Sequence, residues 1–189
     1  MEKLLFIEPN KEHESIAIDF VKEMIEYNSS FDGCNDLNLY LENYDEWLNF
    51  LEDDKNNPRD NRVHARTFFL IRENDNKLLG MINIRLELND YLYNIGGHIG
   101  YSVRPTERRK GYNTYQLYKA LEFCKSIGLD KVLITCNKDN IGSKKTILNS
   151  CGILDNSVFC EDENIYIERY WVDVNETLEK NRHIKTLVR

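Results

Sequence analysis

Apolar residues follow two different spacings along the chain, and the changes between them divide it into predicted helices and strands. Leu117, Ala120, Leu121 and Cys124 lie three and four positions apart, which is the spacing of one buried helix face. Short runs of β-branched and aromatic residues bounded by Gly, Pro, Asn or Asp are typical of strands. These patterns predict helices over residues 12–27, 39–51 and 140–150, a further helix that ends at Gly128, and strands over residues 3–7, 63–72, 78–88, 98–103, 131–136, 157–160 and 165–172.

The order of these elements indicates an α/β protein of the α+β type. Two helices precede three strands, and the turn-rich segment 73–77 predicts that the first two of these strands form a hairpin. A helix, a strand, a helix and a final hairpin follow. This order does not match a doubly wound nucleotide-binding fold. A chain of 189 residues can bury a sizeable core, so we predict one domain over residues 1–189.

A basic turn between the strand 98–103 and the next helix carries the strongest chemical signal. The strand stops at Pro105, and three basic residues then lead into Gly111 at the start of the helix. A helix N-terminus offers unpaired backbone N–H groups and about half a positive charge, which suit an anion such as a pyrophosphate. A solvated basic turn is the alternative from this segment alone. The glycine motifs of ATP-binding and dinucleotide-binding loops do not occur.

Composition narrows the classes of function. The chain is 41% hydrophobic and 30% charged, with no run of about 18 apolar residues and no evident signal peptide, so we expect a soluble protein and no membrane partner. The five cysteines show no Cys-x-x-Cys spacing, and we expect reduced thiols in the cytoplasm. The four histidines lack metal-ligand spacing, so no metal is expected. No strong basic patch lies outside the turn, so nucleic acid is not an expected partner.

The net charge of −7 is unevenly distributed. Residues 1–62 contain 16 acidic and 6 basic side chains, a balance of −10, whereas residues 63–189 contain 16 acidic and 19 basic ones, a balance of +3. An acidic first third together with a basic turn indicates two ligands of opposite charge. The alternative is that the helix surfaces of the first third are simply acidic.

Residues 95–153 resemble the core of the GNAT N-acetyltransferases, a family that binds acetyl-CoA. The anion turn of that family follows Arg/Gln-x-x-Gly-x-Gly/Ala, and Arg108 and Gly111 match it, whereas Asn113 departs from the small residue usual there. The segment 100–105 resembles the central strand of the family.

A second part of the resemblance lies downstream, where Asn140-x-x-Ser143 is similar to a helix motif of the family. The resemblance implies the GNAT acyl-CoA N-acyltransferase fold, with a mixed, mostly antiparallel central sheet that is splayed between two central strands and flanked by helices. It also implies that residues 1–62 form a first strand and two helices on the acceptor side.

The resemblance further implies which residues bind acetyl-CoA. Backbone amides of residues 109–114 would hold the pyrophosphate, and Gly111 would let the backbone approach it closely. The strand edge at residues 101–103 would pair with the pantetheine arm. Asn140 and Ser143 resemble residues that contact the middle of the cofactor, although a plain helix N-cap is the alternative for Asn140. The complete predicted set is Tyr101, Ser102, Val103, Arg108, Arg109, Lys110, Gly111, Tyr112, Asn113, Thr114, Asn140 and Ser143.

Acetyl transfer to an amine requires the loss of an amine proton and a donor for the developing oxyanion. The resemblance implies a backbone N–H near Val103 as that donor. Many relatives carry a general-acid tyrosine where this chain has Ile147, and some carry a glutamate base where it has Thr135.

Because both of those positions differ, we predict His98 as the catalytic base, with Glu87 behind it. A plain strand histidine is the alternative for His98. A water chain to solvent could replace the base, and Tyr166 or Tyr170 could donate from the last strand.

The acceptor amine is expected to enter opposite CoA, between the first two helices and the final hairpin. Acidic residues of the first third would attract it, and aromatic residues there would shape its pocket or belong to the core. The candidates are Asp32, Asp36, Asp45, Glu46, Phe31, Tyr40, Tyr44 and Trp47.

The sequence therefore predicts an N-acetyltransferase that moves an acetyl group from acetyl-CoA to a primary amine. The amine belongs to a small cationic metabolite, antibiotic or peptide and attacks the thioester directly. Acetylation of protein N-termini or lysines, a catalytically silent CoA-binding module and a phosphate-binding regulatory domain are the alternatives. The oligomeric state stays open, with a homodimer as one option.

Overall fold

The computed structural model describes residues 2–184. This part of the chain contains seven strands and five α-helices. The elements are β1 (Leu4–Ile7), α1 (Glu14–Glu26), α2 (Tyr44–Asn56), β2 (Ala65–Arg72), β3 (Lys77–Arg85), β4 (Ile99–Val103), α3 (Tyr112–Ser126), β5 (Lys131–Asn137), α4 (Ile141–Asn149), β6 (Ile153–Cys160), β7 (Ile165–Asp173) and α5 (Val174–Lys180).

The strands form two antiparallel sheets that touch at one point. One sheet has the order β1-β2-β3-β4 and the other the order β5-β7-β6. At the start of β4, the His98 N–H donates to the Leu133 carbonyl of β5 at 2.7 Å, and the Leu133 N–H donates to His98 Nδ1 at 2.9 Å. The rest of β4 forms no ladder with β5, so the two strands separate. This confirms the predicted splayed, mostly antiparallel sheet flanked by helices.

The first sheet has a hydrophobic cluster on each face, because successive residues of a strand point in opposite directions. Phe69 of β2 packs with Phe20 of α1 and Trp47 of α2 on one face. Phe68 faces the other side, where it joins a cluster that includes Leu121 of α3. The helices α1 and α2 therefore cover one face and α3 covers the other.

The loop between α1 and α2 crosses β4 at two glycines. A Cβ atom on Gly33, which has φ +75°, would lie 2.3 Å from the Gly100 carbonyl oxygen. No other residue fits at this distance, so Gly33 brings the loop 29–36 directly against the central strand. The loop thereby reaches the gap between the two sheets.

The second helix differs from its predicted range of 39–51. Asp36 adopts a left-handed conformation with φ +62°, and residues 37–39 form a separate 3-10 turn. Helix α2 begins after Asn43, whose side chain accepts a hydrogen bond from the Glu46 N–H at 3.4 Å. It continues to Asn56 through a segment predicted as loop, because Asp54 is 1% exposed and binds Arg62 at 2.6 Å. This buried ion pair could not be predicted because Asp54 lies in a run of acidic residues that is typical of an exposed loop.

Two further elements at the end of the chain were missed or shortened. Strand β6 begins at Ile153 rather than residue 157, and most of its residues are exposed, so it lacks an apolar pattern. Helix α5 was not predicted; Asp173 caps it by accepting from the Glu176 N–H at 2.8 Å. Within residues 2–184, no helix is both long and apolar enough to cross a membrane.

Candidate active site

Two cavities open beside the gap between β4 and β5. The larger one, of about 810 Å³, is lined by residues 101–103, the basic turn, the start of α3 and the start of α4; we call it the groove. The smaller one, of about 560 Å³, is lined by the α1–α2 loop, the start of β4, the end of β5 and residues 91–96; we call it the chamber. Five residues line both cavities: Ser30, Asp32, Tyr101, Asn140 and Ser143. The groove and the chamber therefore meet at Tyr101.

The basic turn presents an uncapped helix N-terminus to the groove. Helix α3 begins after Gly111, which has φ +88° and supplies no side-chain cap to the first turn. A Cβ atom built on Gly111 would have no protein atom within 4 Å, so the position faces open space. Arg109 is also left-handed, with φ +65°. The turn thus exposes backbone N–H groups at the positive end of a 15-residue helix, where an anion binds favourably.

The basic side chains of the turn have separate roles. Arg108 and Arg109 line the groove. Arg108 donates from Nε to the Val103 carbonyl at 3.1 Å and from Nη2 to the Ser29 hydroxyl at 2.9 Å. Lys110 does not line the groove, and its ammonium group is bound to Glu107 at 2.7 Å. The sequence-based placement of Lys110 at the anion site is therefore not supported by the geometry.

Tyr112 lines the groove, and its hydroxyl group is bound to other residues of the protein. The hydroxyl donates to Glu2 at 2.6 Å and accepts from Arg72 at 3.3 Å. Arg72 also binds Glu107 at 3.0 Å. Although burial favours the neutral form of Glu107, hydrogen bonds from Arg72 and the neighbouring lysines lower its pKa to about 2. These charged groups fix the outer side of the turn.

The far edge of β4 offers free backbone groups to the gap. The Arg85 N–H donates to the His98 carbonyl at 2.8 Å and the Arg104 N–H donates to the Leu79 carbonyl at 2.8 Å. In an antiparallel ladder this places the even-numbered residues of β4 in hydrogen-bonded pairs with β3. The N–H and carbonyl groups of Tyr101 and Val103 therefore point away from β3, toward the gap. The Val103 carbonyl already accepts from Arg108, so the Val103 N–H and the two backbone groups of Tyr101 are the ones available for strand pairing with an extended ligand.

Ser102 is one of the even-numbered residues of β4, whose backbone groups pair with β3 rather than face the gap. It is 7% exposed, its hydroxyl lies 3.1 Å from Cys34 Sγ, and its carbonyl accepts from Gln116 Nε2 at 3.2 Å. It touches the groove but has its polar groups occupied by the protein. The predicted ligand contact from Ser102 is therefore weaker than those from its two neighbours.

Asn113 and Asn140, both predicted to bind the cofactor, have side chains that form hydrogen bonds within the protein. Asn140 Oδ1 accepts from the Ser143 N–H at 3.0 Å, which confirms the helix N-cap alternative. Asn113 donates to the Thr146 hydroxyl of α4 at 3.1 Å and accepts from Gln116 at 2.7 Å. The residue that departs from the family pattern thus ties α3 to α4 at the base of the groove. Thr114 also lines the groove, at the second position after the helix begins.

A pair of hydroxyl groups lies where the two cavities meet. Tyr101 Oη and Ser143 Oγ are 2.7 Å apart. Burial raises the pKa of Tyr101, so the phenol stays protonated near neutral pH. Asp32, whose carboxylate accepts from the Ser30 hydroxyl at 2.7 Å, lies on the rim of the same junction. The junction thus contains a proton donor and a carboxylate.

The predicted base and its partner are not together. His98 is 6% exposed, and its Nδ1 accepts from Leu133, so the neutral ring carries its proton on Nε2. Burial, and next the charge of Arg85, lowers the pKa of His98 to about 4. Glu87 does not lie behind His98; it accepts from the ring of His64 at 2.8 Å and from its N–H at 3.1 Å. A catalytic role for His98 stays a prediction, and its contacts indicate a structural role.

The residues at the two positions where the resemblance implies an acid or a base, Ile147 and Thr135, have structural roles. Ile147 is fully buried in the core. Thr135 lines the chamber and donates to the Ile95 carbonyl at 2.7 Å. Of the alternative donors, Tyr170 is buried and bound to Glu168, while Tyr166 is exposed, and neither lines the chamber.

The acceptor residues predicted from the sequence divide into two groups. Phe31, Asp32 and Asp36 line the chamber. The others do not line it: Asp45 is bound to Lys11 at 2.7 Å on the surface, Glu46 is exposed, Tyr40 stacks on Phe50, and Tyr44 and Trp47 are buried in the core. Much of the acidic charge of the first third is therefore used in ion pairs or on helix surfaces.

Several residues of both cavities were missed by the sequence analysis. The groove also contains Ser29, Ser30 and Lys145, and the chamber contains Arg85, Tyr91 and Glu163. None of these lies in a recognisable motif, since each is brought to the site by tertiary structure. Within residues 2–184, no group of three or more His, Cys, Asp or Glu side chains is arranged to hold a metal ion.

Comparison with known proteins gives a family match and a common fold. A profile of the acetyltransferase (GNAT) family matches residues 35–153. The ribosomal-protein-S5-alanine acetyltransferase from Vibrio fischeri has a TM-score of 0.71 and 13% identity, covering 93% of this chain and 96% of that one. No curated protein matches the sequence.

Two further solved structures share the fold. A spermidine N-acetyltransferase chimera from Vibrio cholerae and hSSAT has a TM-score of 0.59 and 16% identity, covering 94% of this chain and 99% of that one. The microcin C7 self-immunity acetyltransferase MccE, in complex with acetyl-CoA and AMP, has a TM-score of 0.65 and 15% identity, covering 90% and 92%. At these identities the structures establish the fold alone.

Proposed function

The chain belongs to the GNAT acetyltransferase family and is an acetyl-CoA-dependent N-acetyltransferase, and we propose that it acetylates the primary amine of a small metabolite, antibiotic or peptide by direct attack. The observation that supports this most is the meeting of two cavities at Tyr101. One cavity suits a long anionic cosubstrate and the other a smaller acceptor. Direct transfer requires the two ligands to meet at a single point, and this arrangement provides it.

The groove residues fit the parts of acetyl-CoA. The backbone N–H groups at the start of α3, with Arg108 and Arg109, suit the pyrophosphate, because they combine unpaired donors with positive charge. The Tyr101 carbonyl and the Val103 N–H on the free edge of β4 suit the amides of the pantetheine arm. Acetyl-CoA supplies an activated acetyl thioester to the site. We propose that its reacting end lies beside Tyr101.

The residues at the junction provide the polar groups that the transfer requires. The backbone N–H of Tyr101 faces the gap beside the proposed reacting end and is positioned to stabilise the oxyanion that develops at the acetyl carbonyl. The Tyr101 hydroxyl, supported by Ser143, would donate a proton to the leaving sulfur. Asp32 would receive the proton lost by the attacking amine or pass it to solvent. His98 and Glu87 are not needed in this scheme.

The chamber is proposed as the acceptor site. Asp32, Asp36 and Glu163 line it and favour an ammonium group at the entrance. Phe31 and Tyr91 supply apolar surface for the remainder of the acceptor. We place the reaction in the cytoplasm, where acetyl-CoA is formed and reduced cysteines persist.

The test of this proposal has two stages. Thermal unfolding is measured with and without acetyl-CoA, with ADP as control, and a ligand at about 100 times its dissociation constant should stabilise the fold by about 2.7 kcal/mol. Release of free CoA thiol is then followed with a panel of amines. A stabilisation by acetyl-CoA no larger than that by ADP would refute the proposal. Stabilisation without thiol release from any amine or peptide would indicate a binding module instead.

A further inference from the structure

Three arginines in the described part of the chain have no carboxylate partner. The other seven arginines within residues 2–184 each have an Asp or Glu oxygen within 4.0 Å. Arg108 and Arg109 lack such a partner and line the groove, where the proposed function places phosphate groups. Arg85 is the third, and it lines the chamber instead. A guanidinium group without an internal counter-ion at a ligand site is suited to bind an anion from the ligand.

The hydrogen bonds of Arg85 leave one side of its guanidinium group unused. Nη1 donates to the Gly96 carbonyl at 3.1 Å and to the Gly97 carbonyl at 3.4 Å. Nε and Nη2 have no hydrogen-bond acceptor among residues 2–184. These two nitrogens form the side-on edge of the guanidinium group, which matches the two oxygens of a carboxylate. The Nη1 bonds hold the group in place, so it is pre-oriented for this contact.

Arg62, the other arginine that lines the chamber, has a carboxylate partner within the protein. Arg62 donates two hydrogen bonds to the buried Asp54, at 2.7 and 2.6 Å, and one to Asn35 at 2.7 Å. The carboxylate of Asp36 is a further 4.0 Å neighbour of Arg62. The protein therefore pairs Arg62 with a carboxylate and, in the described part of the chain, leaves Arg85 without one within 4.0 Å. Burial, followed by the charge of Arg62, lowers the pKa of Arg85, and the more distant charges of Asp32 and Asp54 offset this only in part.

Arg85 lies close to the strand that leads into the junction. A Cβ atom on Gly100 would lie 3.4 Å from Arg85 Nη1, and Gly100 directly precedes Tyr101 at the junction. One residue of a strand spans about 3.3 Å. The charge of Asp32, on the junction rim, also acts on both Arg85 and Tyr101. Arg85 is therefore adjacent to the strand residue that precedes Tyr101, which favours an acceptor whose anion lies close to its reacting end.

Resting on the proposed function, we infer that the acceptor is an amine with a carboxylate a few bonds from its nitrogen, as in an amino acid, and that Arg85 binds this carboxylate. The ammonium end lies toward Asp32 and the carboxylate toward Arg85. Arg85 thus determines specificity, because it favours an amino carboxylate and disfavours a polyamine, whose charges are all positive. This narrows the broader expectation of a cationic acceptor.

The experiment compares pairs of acceptors that differ only in the carboxylate. Acetylation of the common L-amino acids and of their carboxamides is measured by CoA thiol release, and kcat/KM is compared within each pair, with putrescine as the polyamine. The variants are Arg85→Gln, Arg85→Lys, and Arg59→Gln as a surface control outside both cavities. Thermal unfolding with acetyl-CoA shows whether each variant folds and binds the cosubstrate.

We expect the wild-type protein and Arg59→Gln to prefer at least one acid over its amide by 10-fold or more. Arg85→Gln should remove this preference, and Arg85→Lys should retain part of it. The ratio is internal to each variant, so partial unfolding cancels, and comparing the ratio between variants also cancels the different basicities of acid and amide. The inference is overturned if no acid is acetylated, if amides or putrescine are preferred, or if Arg85→Gln keeps the preference. Stabilisation by acetyl-CoA in those cases leaves the proposed acetyltransferase intact, whereas its absence in the wild type refutes the broader proposal.

Discussion

The hydroxyl groups of Tyr101 and Ser143 lie 2.7 Å apart and join β4 to the first turn of α4 across the gap between the two sheets. The helix position at which the family resemblance implies a general-acid tyrosine is Ile147, which is fully buried. Tyr101 instead supplies a phenol from the strand, at the point where the two cavities meet. The chain would then retain a proton donor at the junction although the usual helix position has lost it.

We predict that Tyr101→Phe lowers kcat by about 10- to 100-fold while leaving the affinity for acetyl-CoA nearly unchanged, because only the proton donor is removed. The loss is limited because a CoA thiolate leaves readily even without protonation. Steady-state kinetics and thermal shift with acetyl-CoA measure the two effects. Tyr40→Phe, which removes a hydroxyl outside both cavities, is the matched control. Equal turnover of the two variants would exclude Tyr101 as a proton donor.

The structural role of His98 gives a second prediction. Asparagine at this position retains an acceptor for the Leu133 N–H, so His98→Asn should keep turnover within a few-fold and leave the pH–rate profile unchanged. His98→Ala loses the acceptor and should unfold more easily, by about 1–3 kcal/mol. A 100-fold loss of kcat in a well-folded His98→Asn variant would instead establish the histidine as the base.

The same residue makes stability depend on pH in a defined direction. The pKa of His98 is about 4 in the folded protein, against 6.5 for an exposed histidine, so the unfolded chain binds a proton in this interval and the folded one does not. The stability of the wild type should therefore fall by up to about 3 kcal/mol as the pH decreases from 6.5 to 4. Urea unfolding across this range should show a smaller decrease for His98→Asn.

The order of elements and the anion turn could be predicted because both are encoded locally. A change in apolar spacing identifies a strand or helix without knowledge of its neighbours, and Gly111 after three basic residues identifies the turn. The start of α2 was misplaced because a left-handed Asp36 and a capping Asn43 interrupt an otherwise helical pattern. Strand β6 was shortened because its exposed residues carry no apolar signal.

The charged residues of the site could not be assigned from the sequence. Whether an acid or a base is available to a ligand depends on which partner the fold brings to it. Asp54 and Arg62 are eight positions apart and neutralise each other, whereas Arg85, a strand-end arginine like many others, is left without a counter-ion. Glu87 was paired with the wrong histidine for the same reason.

Two glycines at opposite ends of α3 provide the last prediction. Gly111 and Gly128 both have left-handed backbones, with φ +88° and +78°, and an added Cβ meets no atom within 4 Å at either position. Aspartate should therefore cause similar backbone strain at both sites, about 1–2 kcal/mol. The helix dipole favours a negative charge at the N-terminal site and disfavours it at the C-terminal one, so Gly111→Asp should be at least as stable as Gly128→Asp.

For acetyl-CoA binding we expect the opposite order, with Gly111→Asp weaker than Gly128→Asp. Gly111→Asp places a carboxylate where the phosphate groups of acetyl-CoA are proposed to bind, so the thermal shift with acetyl-CoA should disappear, whereas Gly128→Asp should keep the wild-type shift. Because the better-folded variant is the one expected to lose the ligand, unfolding cannot account for such a result. A normal shift in Gly111→Asp would show that the anion site lies elsewhere, and the groove would then need a different ligand.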